Sequence, residues 1–256
     1  MEHPASTSIW IRLGSSRTGS DIVQRLARSP IAALACTAAL LGAIWAIRDY
    51  REWKNFGTGG TPPNLSGYWR ITKLRMVRLF QRRNLRDPAP LEVKAAPTLL
   101  EDIPARKGGR PQILPRPLPQ RQKPEPIPPK TKARLLTLMN KMHSEYPELL
   151  VLRKSQTEGG STDAIYVKPD LLNRSSDSSI LKLEVAHAHP QDASLHLLLS
   201  PADAAEVIKA EWGERFPLSY VPDGWIMVYA PRDDEELEIV EKIVRASVKY
   251  ATGVSI

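Results

Sequence analysis

The sequence predicts an α+β protein: a mainly antiparallel sheet of about five strands with helices packed on it, preceded by an N-terminal transmembrane helix. Three observations predict it. Ile31–Ile47 is a run of 17 uncharged residues between Arg28 and Arg48. Leu181–Ser200, LKLEVAHAHPQDASLHLLLS, alternates as two strands around a short polar loop. Two later segments, opening at Ser200 and after Pro231, carry the start and stop signals of helices.

Residues 1–29 are polar and modestly basic, and Gly14, Ser15, Ser16, Gly19 and Ser20 predict a flexible tail. Residues 30–48 form the anchor, its apolar run at the short end of what spans a bilayer. Trp45, Tyr50 and Trp53 stand where an interfacial aromatic belt belongs. A cleaved signal peptide fits less well, because the leader is long and no small-x-small cleavage site follows. Basic residues balance across the run, and those further downstream favour a single-pass protein of the endoplasmic reticulum or another endomembrane with its C-terminal domain cytosolic.

Residues 49–105 read as a juxtamembrane basic amphipathic and Pro-rich segment. Gly57–Gly67 is a loop by composition. Trp69–Arg83 predicts a helix with Ile71, Leu74, Val77 and Phe80 on one stripe and Arg70, Lys73, Arg78, Arg82 and Arg83 off it, suited either to anionic lipid or to packing on the domain. Twelve prolines between Asp87 and Pro129 exclude helix and continuous sheet there, although residues 107–122 can lie on the domain as an extended arm.

Residues 106–256 are the predicted α+β domain with this arm. Leu135, Leu138, Met139 and Met142 predict one helix ending before Pro147. Leu149–Arg153 and Ala164–Lys168 are short strands flanking a turn at Gly159-Gly160. Ser200-Pro201 starts a helix that Gly213 stops after Trp212. Trp225–Tyr229 is a strand, and the final helix buries Leu237, Val240, Val244 and Val248.

Charge divides along the chain. Residues 1–130 hold 22 Lys and Arg against 9 Asp and Glu, whereas residues 131–256 hold 14 against 19. A basic nucleic-acid-binding domain is therefore a poor reading of the folded part, and membrane lipid is the better partner for the basic half. One cysteine, Cys36, excludes a disulfide framework. Phosphate-binding glycine loops, dinucleotide fingerprints, nucleophile elbows and cysteine clusters are all missing.

The chemistry therefore concentrates on histidine. By strand alternation Leu183, Val185, His187 and His189 share one face and Glu184, Ala186 and Ala188 the other. An even-numbered loop at Pro190–Ala193 pairs positions summing to 383, setting His187 opposite His196 and gathering three imidazoles; a three-residue loop would turn His196 away. His187, His189 and His196 are the candidate catalytic residues. They suit three uses: ligands for a zinc, iron or copper ion, with Glu184 or Asp192 completing the set; a metal-free base for an acidic enol or phenol; or hydrogen bonding inside a wet groove. Trp212, Arg215, Tyr229, Arg232 and Glu184 are the candidate substrate contacts, through ring stacking and clamping of oxyanions, against an ordinary role in capping and edge packing.

The runs EVAHAHPQDASLHLLLSPADAAEVIKAEWGERFPL and WIMVYAPRDDEELEIVEKIVRASVKYATG resemble the fungal luciferase family. So do Arg110-Pro111 followed by PQRQ at 119–122, RDY at Arg48–Tyr50 and VRLF at Val77–Phe80. The resemblance covers nearly the whole chain. It implies a membrane-associated enzyme that adds O2 to 3-hydroxyhispidin, a polyketide-type hydroxypyrone, and loses CO2 as light is emitted, with O2 as co-substrate and neither flavin nor nicotinamide. Two departures stand out. Phe216 occupies a position that carries histidine in the luminous pattern W-G-x-R-H-P, and the loop Pro190-Gln191-Asp192 is shorter and lacks a further histidine. The alternatives are a dark member acting on another planar aromatic metabolite and a membrane-tethered binding protein without turnover.

Overall fold

In the computed structural model the described residues are 29–81 and 83–254. Residues 1–28 of the predicted tail, and Arg82, lie outside them. The chain divides near residue 52 into two units.

Helix α1, Pro30–Phe56, has 27 residues, and its most apolar window reaches a mean hydropathy of 2.0 with no part of it buried. By length and composition it can cross a membrane. Trp45 is exposed as an interfacial residue would be, but Trp53 is not: it is completely buried in the second unit, its ring 5.9 Å from that of Tyr68.

The second unit is built on one six-stranded antiparallel sheet in the order β1-β2-β3-β4-β6-β5. Its strands are β1 (Leu150–Lys154), β2 (Asp163–Val167), β3 (Glu184–Ala188), β4 (Leu195–Leu198), β5 (Gly213–Arg215) and β6 (Trp225–Val228). Five were predicted. The sixth, β5, has three residues, too few for alternation to register. It exists because the preceding helix ends early, at Lys209, and Glu211 turns the chain in the left-handed region at φ 67°.

One sheet face, through Ile165, Val167, Ala186, Leu195, Leu197 and Val228, packs on helices. These are α4 (Pro129–Leu136), α5 (Leu138–Glu145), α7 (Pro201–Lys209) and α8 (Asp234–Thr252). The single helix expected at 131–146 is split at Thr137, whose hydroxyl donates to the carbonyls of Ala133 and Arg134 and competes with helix continuation. The helix starts follow the sequence: Ser200 accepts from Asp203 N at 3.0 Å, and Asp233 from Glu236 N at 2.8 Å. Gly253, at φ 69°, ends α8. Leu237, Val240, Val244 and Val248 are buried. A five-residue helix, α6 (Ser176–Ile180), precedes β3.

The stretch 53–105 packs into the same compact unit, burying Trp53, Ile71, Leu85 and Leu91. Helix α2, Leu65–Gln81, starts inside the expected loop, because Asn64 Oδ1 accepts from Gly67 N at 2.9 Å. Its predicted stripe divides: Ile71 is buried, while Val77 and Phe80 are exposed. Within the proline-rich segment a four-residue helix, α3 (Ala89–Glu92), forms against expectation, with Pro at its first turn, where a missing N–H is harmless.

The arm lies on the opposite sheet face. Its limbs meet at Leu114 N to Arg121 O (2.8 Å) and Lys123 N to Gln112 O (2.7 Å). Gln120 Nε2 donates to Glu214 Oε1 at 2.9 Å, and Gln122 takes an N–H from Ala230 at 2.8 Å.

Sheet closure at β6 requires glycine at 224, where a Cβ would lie 1.9 Å from the Leu199 carbonyl oxygen. Gly224→Ala is expected to destabilise the detergent-solubilised protein by at least about 2 kcal/mol in denaturant unfolding. Gly109→Ala, where nothing lies within 4 Å, is expected to change it by less than about 0.5 kcal/mol.

Candidate functional site

The hairpin has the even loop, with His187 opposite His196, Ala186 opposite Leu197 and Ala188 opposite Leu195. His189 N donates to Ser194 O at 2.9 Å, extending the same register to the loop's edge. The three imidazoles therefore meet on the face away from the helices. Their ring centroids lie 4.9 Å (187–189), 5.4 Å (187–196) and 4.8 Å (189–196) apart. All three are buried.

Strand alternation misplaces two neighbours. Opposite β2, Ile165 pairs with Ala186 but Tyr166 pairs with Glu184, so Val185 is an extra residue in a β-bulge. Val185 turns into the helix-side core, and Glu184 joins the histidine face. The Glu184 carboxylate is then surrounded by donors. It accepts from Ser155 Oγ (2.7 Å), Gln156 N (3.0 Å), Thr157 Oγ1 (2.8 Å), Tyr166 Oη (2.8 Å) and His187 Nδ1 (2.7 Å). Burial opposes its charge, but the His187, Ser155 and Thr157 hydrogen bonds prevail and bring its pKa down to about 2. So engaged, Glu184 positions His187 and has no lone pair to offer a substrate.

The turn at 155–160, pinned by Glu184, delivers Glu158, which the sequence reading missed. Glu158 Oε1 lies 3.5 Å from His187 Nε2 and 3.8 Å from His189 Nε2. Its other oxygen is paired with Arg121 of the arm. Burial alone would raise the Glu158 carboxyl, but Arg121 and His187 hold it below the usual range. Burial, then the charges of Arg121 and the other histidines, pushes His189 well below the ordinary imidazole value, and burial with His187 and Arg121 does the same to His196. Burial lowers His187 too, but Glu158 and Glu184 more than reverse it. His189 Nδ1 meets Ser194 Oγ at 2.9 Å, and Ser194 donates to Asp192 Oδ2 at 2.6 Å.

Over this cluster stand Trp225, 5.8 Å from the rings of both His187 and His196, and Phe216, edge-on to His196 at 5.3 Å. A cavity of about 30 Å³ remains, lined by Glu158 and His196 below and by Leu118, Pro119 and Gln120 of the arm above.

The remaining candidates do not gather here. Trp212 and Tyr229 each have the guanidinium of Arg106, the residue before the arm, over a ring, at 5.6 and 5.5 Å. Arg232 is paired with Glu236. Arg215 lies opposite Ile226, on the reverse strand face from Glu214, and donates to Asn84 O at 2.7 Å. A larger groove of about 620 Å³, bordered by Trp212 and Arg232, shares no lining residue with the histidine cavity. None of these four residues lines the histidine cavity.

The Luciferase domain family model matches residues 182–247, a span holding the three histidines but not Glu158. Over most of its length the chain is similar to the luciferase of Armillaria gallica, 32% identical over 242 residues that cover 87% of this chain and 89% of the relative. It is likewise 32% identical to the luciferase of Neonothopanus nambi over 255 residues (91% of this chain, 93% of the relative) and to that of Armillaria mellea over 257 (91% and 94%). No solved structure gives a significant match.

Removing the Glu184 carboxylate strands several buried donors at once. Glu184→Ala is expected to lower unfolding stability by about 3–5 kcal/mol, and Glu184→Gln by less, because its amide oxygen still accepts. Equilibrium denaturation of both variants checks the order.

Proposed function

The chain belongs to the fungal luciferase family, and on that premise we propose that it is a membrane-anchored oxygenase that adds O2 to a hydroxypyrone such as 3-hydroxyhispidin, with loss of CO2 and emission of light. The observation that carries this reading is the buried triad of imidazoles under Trp225 and Phe216. Two of them, His189 and His196, are held neutral, so their free nitrogens can accept a proton or a cation. The base takes the enol proton, the resulting enolate carbon bonds to O2, and the peroxide formed collapses with expulsion of the lactone carbon as CO2. Arg121 supplies a fixed positive charge beside the cluster for the oxyanions that develop. No flavin or nicotinamide enters this scheme.

The 30 Å³ cavity is far below the roughly 300–1,000 Å³ of a small-molecule pocket. Substrate entry therefore requires the Leu118–Gln120 stretch of the arm to lift. On this proposal α1 spans an endomembrane, and the exposed Trp69, Val77, Leu79 and Phe80 of α2, with its basic residues, rest on anionic lipid.

One observation favours a dark oxygenase as the second reading: Phe216 packs edge-on to His196 where the luminous pattern carries histidine.

Photon emission and O2 uptake, recorded together from detergent-solubilised protein given 3-hydroxyhispidin, test the assignment. Light and uptake that His196→Ala reduces by at least about a hundredfold support the luciferase. Uptake without light supports the dark reading, and Phe216→His is then expected to raise emission. Neither response sinks both.

A further inference from the structure

We propose that Glu158 Oε1 and the Nε2 atoms of His187, His189 and His196 bind one divalent first-row transition-metal ion. One ligand atom from each of these four residues lies within 4.8 Å of the other three, Glu158 Oε1 standing 3.5 Å from His187 Nε2 and 3.8 Å from His189 Nε2, and all four residues are buried. Donors around a single ion at about 2.1 Å stand roughly 3–4 Å apart, so the cage needs only a small contraction to close.

The outer hydrogen bonds aim the inner nitrogens. Glu184 as a carboxylate can only accept, so His187 carries its hydrogen on Nδ1 and turns the other nitrogen inward. Ser194 gives its hydroxyl hydrogen to Asp192, which leaves Ser194 Oγ to accept from His189 Nδ1. An imidazole whose outer nitrogen is held by a carboxylate or a buried hydroxyl is the usual support of a metal ligand.

The inward nitrogens are what demand a ligand. His187, His189 and His196 each bury an Nε2 atom with no hydrogen-bond partner, and such atoms are costly to leave unpaired. One added proton does not resolve this. Placed between His187 and Glu158 it bridges 3.5 Å, beyond a good hydrogen bond, and leaves the other two nitrogens as they were. A single cation satisfies all three nitrogens and the carboxylate oxygen together.

Three imidazoles and one carboxylate suit iron, cobalt, nickel, copper or zinc and not the all-oxygen preference of magnesium or calcium. Glu158 and His196 border the 30 Å³ cavity, which has room for about one water-sized ligand beside the ion. Neither Glu184 nor Asp192 is the fourth ligand, since each is used in aiming a histidine.

The test uses the full-length protein in detergent, purified without a histidine tag in chelator-free buffer. Elemental analysis is expected to find close to one equivalent of a first-row metal. After removal of metal by dialysis against dipicolinate, titration with Co(II) is expected to give a saturable visible d–d band at one equivalent and to raise the melting temperature. Glu158→Gln, which keeps the side chain's volume, and His189→Ala are each expected to weaken Co(II) binding by at least about tenfold, with circular dichroism confirming that each is folded. Folded wild-type protein that takes up neither Co(II) nor Zn(II), or a folded Glu158→Gln that binds Co(II) as wild type does, overturns the proposal. Metal loading is read without turnover. A loaded protein inert to hydroxypyrone would defeat the proposed function alone, and wild-type protein that emits light yet takes up neither Co(II) nor Zn(II) would defeat the metal site alone.

Discussion

The site depends on one buried carboxylate. Glu184 sits where a β-bulge has turned it onto the histidine face, and it binds the 155–157 turn, the Tyr166 hydroxyl of β2 and the Nδ1 of His187 at once. The turn, β2 and β3 are thereby fixed against one another. Without that hub the turn carrying Glu158 would lose its Glu184 anchor on β3, and His187 the acceptor that fixes its Nδ1. A buried charge is tolerable only when its acceptors are saturated, and here saturating them is what assembles the pocket.

A second layer comes from the arm. Proline removes backbone donors, so such a segment does not extend the sheet and attaches largely through side chains. Gln120, Arg121 and Gln122 do so, at Glu214, at Glu158 and at the backbone of Ala230. The polar face of the sheet, which would otherwise be wet, is closed by residues from the least regular part of the chain.

Much of this was legible in the sequence. The register that brings His187 to His196 follows from an even loop between alternating runs, and the helix at Ser200-Pro201 from its cap. The family was legible as well, from runs of residues in fixed order. The bulge was not, because period-two reasoning assumes a strand without insertions; that one extra residue moved Val185 and Glu184 to faces opposite those expected. Glu158 was hidden for a different reason: it lies in a glycine-bordered turn 29 residues before His187, with nothing local to mark it. Its only signal is proximity to the Gly159-Gly160 pair that lets the turn fold tightly. For Trp212, Tyr229 and Arg232 the residue type leaves ligand contact and edge packing equally open; in the fold Arg106 lies over the two rings and Glu236 pairs with Arg232, away from the histidine cavity.

Arg121 gives the arm an electrostatic consequence. It belongs to the covering segment yet neutralises Glu158 beneath it. An arm that swings clear carries its guanidinium away, so the uncovered pocket is more negative than the sealed one. On the proposed function such a pocket would admit a neutral enol more readily than its anion, and the returning arginine would then favour the charge created by deprotonation. On that proposal, access and acidity would be set by the same movement.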